Sequence, residues 1–343
     1  MRRMKQSSVR VPILASWALA AFGAAGCGES VDAPSDVGAA GPPAAPAATE
    51  PARASAAEAV ALPAEIVAER GMFVPEGVEF DTRGQRFLLG SVSEGAIFAL
   101  ASDGTLTKVA SDPEMISSVG IEVDEATGRL LAAVSDVRIF TGGGPGQAKL
   151  GVFDLGSGEK IAMVDLAALL PDPSEGAVYF ANDVAVGPDG VAYVTETRTG
   201  GLFRVGTDYQ ASLLHRFDPS ATFAPNGIVY HPSGYLLVCG GTSLLKVPLD
   251  DPASAQAVEL PEAIAGADGM LLRDDGTLAL VANQQNRVLL LGSSDDWKTA
   301  TIVDSAPYDV MATTVASVGD ALYVVHPHFR DPGNPSVERV WPR

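Results

Sequence analysis

The chain predicts an all-β fold, a six-bladed β-propeller, and three observations carry that prediction. Segments of strand character recur six times, each opens with a short polar motif, and each continues as a hairpin through a tight reversal. With the second residue of the motif as the mark, the repeats start at 77, 120, 183, 227, 269 and 309, giving spacings of 43, 63, 44, 42 and 40. A period near forty built only from strands corresponds to one propeller blade per repeat. The expected architecture is four antiparallel strands per blade, closed by an N-terminal strand.

In blade one the strands fall at 78–80, 87–89, 96–100 and 106–109. Blade three repeats the pattern at 184–186, 192–195, 202–205 and 212–216, blade four at 228–230, 236–238, 244–247 and 257–260, and blade five at 270–272, 278–281, 288–291 and 300–303. Between the first two strands of these blades lie Asp81-Thr82-Arg83-Gly84, Gly187-Pro188-Asp189-Gly190, Pro232-Ser233-Gly234 and Asp274-Asp275-Gly276, all suited to sharp reversal. Blade six consists of the hairpin 309–325 and a strand at 337–340, one strand short. The unassigned apolar segment 64–68 fills the gap, so that no sheet edge is left open. Blade two is about twenty residues too long. Its excess lies in Thr141-Gly142-Gly143-Gly144-Pro145-Gly146 and in 166–179, both on the face where the motifs begin, which predicts a lid over the axis.

Ahead of the propeller (61–343), residues 1–26 have the pattern of a secretion signal: Arg2, Arg3, Lys5 and Arg10, an apolar run over 11–22, then small residues up to Cys27. The run is too short to span a bilayer permanently. Ala24-Ala25-Gly26-Cys27 resembles a bacterial lipobox, with Ala24 where Leu is usual, so the expectation is an exported lipoprotein held to the cell envelope through Cys27. Without lipidation it would be periplasmic or secreted. The Ala/Pro-rich stretch 27–60 lacks apolar periodicity and reads as a disordered tether. Removing the four basic residues of the leader takes the formal charge from −19 to −23. Such an acidic surface argues against nucleic acid and anionic lipid as partners, leaving the lipid anchor as the expected membrane contact of a monomer. With Cys27 lipidated, Cys239 has no partner for an intrachain disulfide.

In a propeller, equivalent positions of the blades converge on the central axis. The residues opening the six repeats are Glu76, Val119, Asn182, Asn226, Asp268 and Tyr308. Four carry oxygen donors, in Pro75-Glu76-Gly77-Val78, Ala181-Asn182-Asp183-Val184, Pro225-Asn226-Gly227-Ile228 and Ala267-Asp268-Gly269-Met270. A single Asn-Gly or Asp-Gly is ordinary turn chemistry. Four donors in register predict a metal site, and a hard set without His or Cys suits Ca²⁺, with Mg²⁺ or Mn²⁺ as alternatives and Zn²⁺ less natural.

At these residues the chain resembles the regucalcin/gluconolactonase-like calcium-dependent lactonases, six-bladed propellers related more remotely to paraoxonases. The resemblance covers about 64–343 and implies that Glu76, Asn182, Asn226 and Asp268 are the axial ligands. Sugar lactonases of that family carry Arg two residues before the Asn-Asp pair, where this chain has Phe180, and Pro after the Glu-Gly pair, where it has Val78.

The expected function is metal-dependent hydrolysis of a small-molecule lactone or related ester, the cation polarising the carbonyl and activating water. The alternative is a non-enzymatic cell-surface binding propeller with a structural calcium ion. The resemblance implies Asp268 as general base. His326 of His326-Pro327-His328, placed after the second strand of blade six on the motif face, is a second candidate. Phe180, Tyr308, Asn283 and His328 are expected to line the substrate pocket. Cys239 ends a second strand without a basic partner to activate it.

Overall fold

A computed structural model describes residues 62–170, 177–218, 223–329 and 333–342 of the 343-residue chain. The predicted leader, lipid-anchor cysteine and tether lie outside the described residues, as does the segment 171–176 of the second expected lid loop.

Six small antiparallel sheets follow one another along the chain as six blades. Blade one runs Pro75–Asp81, Arg86–Ser91, Ala96–Leu100 and Leu106–Ser111 from axis to rim. Blade two runs Ser117–Asp124, Arg129–Ser135, Lys149–Asp154 and Lys160–Asp165. Blade three is built from Tyr179–Val186, Ala192–Glu196, Gly201–Val205 and Ala211–Arg216. Blade four contains Ile228–His231, Tyr235–Gly240, Ser243–Pro248 and the short Gln256–Ala257. Blade five contains Ala267–Leu272, Leu278–Ala282, Arg287–Gly292 and Thr301–Pro307.

Blade six is composite. Val315–Val318, Ala321–His326 and Ser336–Trp341 come from the C-terminal end of the chain, and Glu65–Val67 supplies the outer strand. Ile66 stands opposite Val337, and the amides of Ala68 and Arg339 bond the carbonyls of Pro335 and Ala64 at 2.8 and 2.7 Å. The pairing predicted for 64–68 is therefore the one the ring uses. Closure satisfies an edge that would otherwise expose its backbone donors and acceptors.

Alternating apolar residues on both faces of each blade produce six interblade cores. Ile66, Phe73, Phe87, Tyr323 and Val337 fill the wedge between blades six and one, where the Phe87 and Tyr323 rings lie 5.1 Å apart. Between blades four and five lie Leu237, Leu244, Leu278, Leu289 and Trp297. Every blade thus buries apolar surface against two neighbours, and the ring is the smallest unit in which no face is left open.

At the axis the innermost strands approach too closely for side chains. A Cβ on Gly77 would lie 2.5 Å from the Val119 carbonyl oxygen, and one on Gly227 2.3 Å from that of Asp268. The motif glycine is therefore a packing requirement of the hub. Side chains from one blade also tie down the next. Ser135 donates to the Ala181 carbonyl at 2.6 Å, Thr195 to Asn226 at 2.6 Å, Cys239 to Asp268 at 2.8 Å, and Thr313 to Glu76 at 2.7 Å.

The sixth repeat begins later than its sequence suggests. Val315 pairs with Val324 as Val78 pairs with Leu89 and Ile228 with Val238. That register puts Thr313-Thr314, not Tyr308-Asp309, in the motif position. The Thr313 amide bonds the Val325 carbonyl just as the Asn226 amide bonds that of Cys239. Tyr308 follows the outer strand of blade five instead.

Candidate metal and active site

The hub ring consists of Glu76, Val119, Asn182, Asn226, Asp268 and Thr313, each two residues before the point where its innermost strand resumes regular pairing. In blades one, two, three and five the register shifts at this point, between Pro75 and Val78, Ser118 and Ile121, Ala181 and Val184, and Ala267 and Met270. Such bulges turn the strand and re-aim the residue they contain, here at the end of each blade that meets the axis.

Asp268 is buried, and Asn283 donates from Nδ2 to its Oδ2 at 2.6 Å. The Asn226 side chain also bonds this carboxylate. Burial pushes the Asp268 carboxyl up to about 7, and the charge of Asp183 adds to the effect, while the two amides oppose it. Glu76 is pushed well above the usual carboxylate range, first by burial, then by the charges of Asp268 and Asp183. Asn182 is buried, its Nδ2 donating to Thr197 Oγ1 at 2.9 Å, and that hydroxyl donates to the Pro225 carbonyl at 2.7 Å. The hydrogen bonds thus join the motifs of blades three, four and five, while Glu76 is coupled to Asp268 through its field.

The residues fit a hard divalent cation by their chemistry. Burial raises both carboxyl groups where no positive charge stands beside them, and the amides of Asn182 and Asn226 add neutral oxygens to the set. Among the described residues no group of three or more His, Cys, Asp and Glu side chains is gathered closely enough to hold an ion, so the set reaches four donors only through Asn182 and Asn226. Oxygen-only sets with carbonyl donors are the preference of calcium.

Asn283 lies directly against Asp268. Phe180 is buried, its amide held by Glu196 Oε1 at 2.8 Å. Tyr308 lies in the core between blades five and six, its ring edge-on to His326 at 5.7 Å. It is a neighbour of the site behind the hub, not a member of the ring. His326 is buried with both ring nitrogens engaged, Nε2 2.9 Å from Glu338 Oε2 and Nδ1 3.3 Å from the Met311 carbonyl oxygen. The ring is enclosed by these two partners and presents no nitrogen to the hub, so the geometry favours a packing role over the base role expected for it. His328 is half-buried in the following loop with a positive φ of 54°. Cys239 is buried, and burial raises its thiol well above the ordinary value. It serves as a hub tether.

The first of the two expected lid loops reaches Phe180. Its turn Val137–Thr141 places Phe140 edge-on to Phe180 at 5.2 Å, and Gly146–Gln147 pairs in parallel with Tyr179 and Phe180. In the second excess segment, Leu166 and Leu170 pack instead into the core between blades two and three.

Sequence reasoning missed three further acids. Glu79, Glu122 and Asp183 line a cavity of about 140 Å³ in the central channel, along with Thr314 and apolar residues of the inner strands. Burial and then the charge of Asp183 raise Glu79 to about 8, burial and then the charges of Glu79 and Asp183 raise Glu122 well above its usual range, and burial raises Asp183 to about 7. Glu79 and Glu122 stand at the same position of neighbouring blades, three residues after the hub. That equivalence was the available signal.

Neither the protein-family models nor the curated proteins contain a match to this chain. Solved structures do match. The major allergen Mala s 1 of Malassezia sympodialis superposes with a TM-score of 0.67 at 19% identity, covering 81% of this chain and 96% of the other. The calcium-binding protein regucalcin of Agrobacterium tumefaciens gives 0.59 at 17%, covering 82% and 96%. A gluconolactonase of Xanthomonas campestris gives 0.55 at 14%, covering 80% and 89%. Virginiamycin B lyase from Staphylococcus aureus gives 0.53 at 11%, covering 80% and 97%. What these structures share with this chain is the likeness of fold, and one fold carries more than one chemistry.

Proposed function

We propose that this propeller is a metal-dependent hydrolase of lactones or related esters, with its active site at the hub. The observation that carries the reading is the buried Asp268 carboxylate, raised to about 7 and held beside Glu76 and two amide donors. The likeness of fold to regucalcin and a gluconolactonase supports it. Glu76, Asn182, Asn226 and Asp268 would hold a divalent cation, with Ca²⁺ favoured by the donor set. Bound there, it supplies polarisation of the scissile carbonyl and a lowered pKa for water.

The chain's own residues account for the rest. Asp268 takes the proton of the attacking water and returns it to the leaving alkoxide, the role of a carboxylate fixed beside the reacting water. Asn283 fixes the orientation of that carboxylate. Thr197 holds the Asn182 amide, and Glu196, accepting from the amides of Phe180, Arg198 and Thr199, fixes the loop that carries Thr197. Through Cys27 and the Ala/Pro-rich segment the propeller would be displayed on the bacterial cell envelope.

A panel of lactones and esters, assayed with and without chelator, tests the proposal. Chelator-sensitive turnover supports it. A protein that turns over none of them, yet is stabilised by calcium, is instead a binding propeller. The apolar Phe180, two residues before Asn182, favours that second reading over a sugar lactonase.

A further inference from the structure

Beside the hub donors lies a compact apolar cluster drawn from widely separated parts of the chain. Its floor is Val92, Val119 and Phe180, all buried, and its rim includes Ile139, Phe140 and Phe329, all half-buried. Val119 belongs to the hub ring itself, between Glu76 and Asn182, and Phe180 precedes Asn182 by two residues. Phe329 extends from the end of blade six, and Ile139 and Phe140 come from the inserted turn of blade two. The cluster therefore adjoins the donors and shares their face.

Two properties point to what it binds. The one basic residue of the covering turn, Arg138, is paired with Asp136 at 2.6 Å, and five carboxyl groups, Glu76, Asp268, Asp183, Glu79 and Glu122, lie along the axis. The wall beside the donors offers no polar group to a substrate, so a polyhydroxylated ring would leave its hydroxyls unpaired against Phe180. The covering group is itself aromatic. Phe140 packs edge-on to Phe180 at 5.2 Å, and its turn ends at Gly142 with a φ of 80°, followed by Gly143 and Gly144. An apolar substituent can take the place of Phe140 on Phe180 without stranding a polar group.

We infer that the substrate of this site is a neutral lactone or ester bearing an alkyl or aryl substituent, which seats on Phe180 beneath the Val137–Thr141 turn. The inference rests on the hydrolase reading for the word substrate, but its apolar subsite can be tested without turnover.

The test pairs two series of graded alkyl chain length. Alkyl γ-lactones are assayed for kcat/KM, and the matching γ-lactams, which resist hydrolysis, are measured by calorimetry for binding to the calcium-loaded full chain. Each added methylene should raise kcat/KM and lactam affinity by up to about fourfold until the cluster is filled. An aldonolactone should be the poorer substrate. Phe180→Arg should flatten both series, while Phe180→Leu should preserve them, and thermal unfolding of each variant establishes that it is folded. Lactam affinity that rises with chain length without any lactone turnover would sink the hydrolase reading and leave the apolar subsite standing. Lactam affinity independent of chain length, or an aldonolactone preferred over the alkyl series, would overturn the inference.

Discussion

Asp268 and His326 were both open to a base role on sequence grounds, and their surroundings separate them. Asp268 is buried and raised to about 7 among hub donors, whereas His326 is clamped between Glu338 and the Met311 carbonyl. Asp268→Asn keeps size and an oxygen donor but cannot accept the proton. Hydrolysis at saturating calcium is expected to fall by roughly two or more orders of magnitude. His326→Ala should lower thermal stability and leave kcat within a few-fold, and a loss as large as that of Asp268→Asn would move the base to blade six. At Cys239 the buried thiol spans two blades through the Asp268 carbonyl. It should resist alkylating reagents in the folded protein and react on unfolding, and rapid labelling of the native chain would contradict this placement.

The closing strand decides stability at the scale of an element. Glu65–Val67 completes blade six and buries Ile66 in the wedge with Phe73, Tyr323 and Val337. Removing 62–68 exposes the Ser336–Trp341 edge and opens that wedge, so a large fall in melting temperature is expected. Ile66→Ala alone should cost about 2–5 kcal/mol, the usual range for truncating a buried Ile. If denaturant unfolding of the truncated chain matches the parent, the ring is held by other contacts. The sixth repeat illustrates what strand reading alone misses. The hub residue lies 12 or 13 positions before the second-strand partner in the first five blades, as from Glu76 to Leu89 or Asn226 to Val238, while Tyr308 lies 16 before Val324. Thr313-Thr314 lacks the glycine that marks most of the other hubs, so the repeat start was legible only from hairpin length.

On the scale of the whole molecule, the axis gathers negative charge that folding alone does not neutralise. Glu79 is raised to about 8, and Asp183 and Asp268 to about 7. In each case the folded form binds protons more tightly than the unfolded chain. Between about pH 4 and 8 the folded state therefore holds the extra protons, and its stability falls as pH rises through that window. In chelator, the melting temperature should be higher at pH 5 than at pH 8, and calcium should raise it more at pH 8, where the hub acids are ionised. The general acidity of the chain acts in the same direction. Comparison with the Glu79→Gln, Glu122→Gln double variant isolates the channel. That variant should show a flatter pH profile and greater stability at pH 8, and a profile as steep as the parent's would assign the effect to the outer surface.

The sequence determined the period, the strand character, the closing strand and the four donor motifs, because each is written in nearby residues: apolar alternation, turn chemistry and a polar residue beside the hub. It also exposed Phe180 as the position at odds with a sugar-binding site. Tertiary structure decided what depends on residues far apart in the chain. The Cys239 thiol meets the Asp268 carbonyl, the Thr313 hydroxyl meets that of Glu76, and Glu79, Glu122 and Asp183 share one channel only because the ring brings the blades to a common axis. His326 was separated from the base role in the same way, since Glu338 and Met311 reach it from other parts of blade six. A repeat specifies its own strands, but the burial, charge and partners of its innermost residues are set by the five other blades around it.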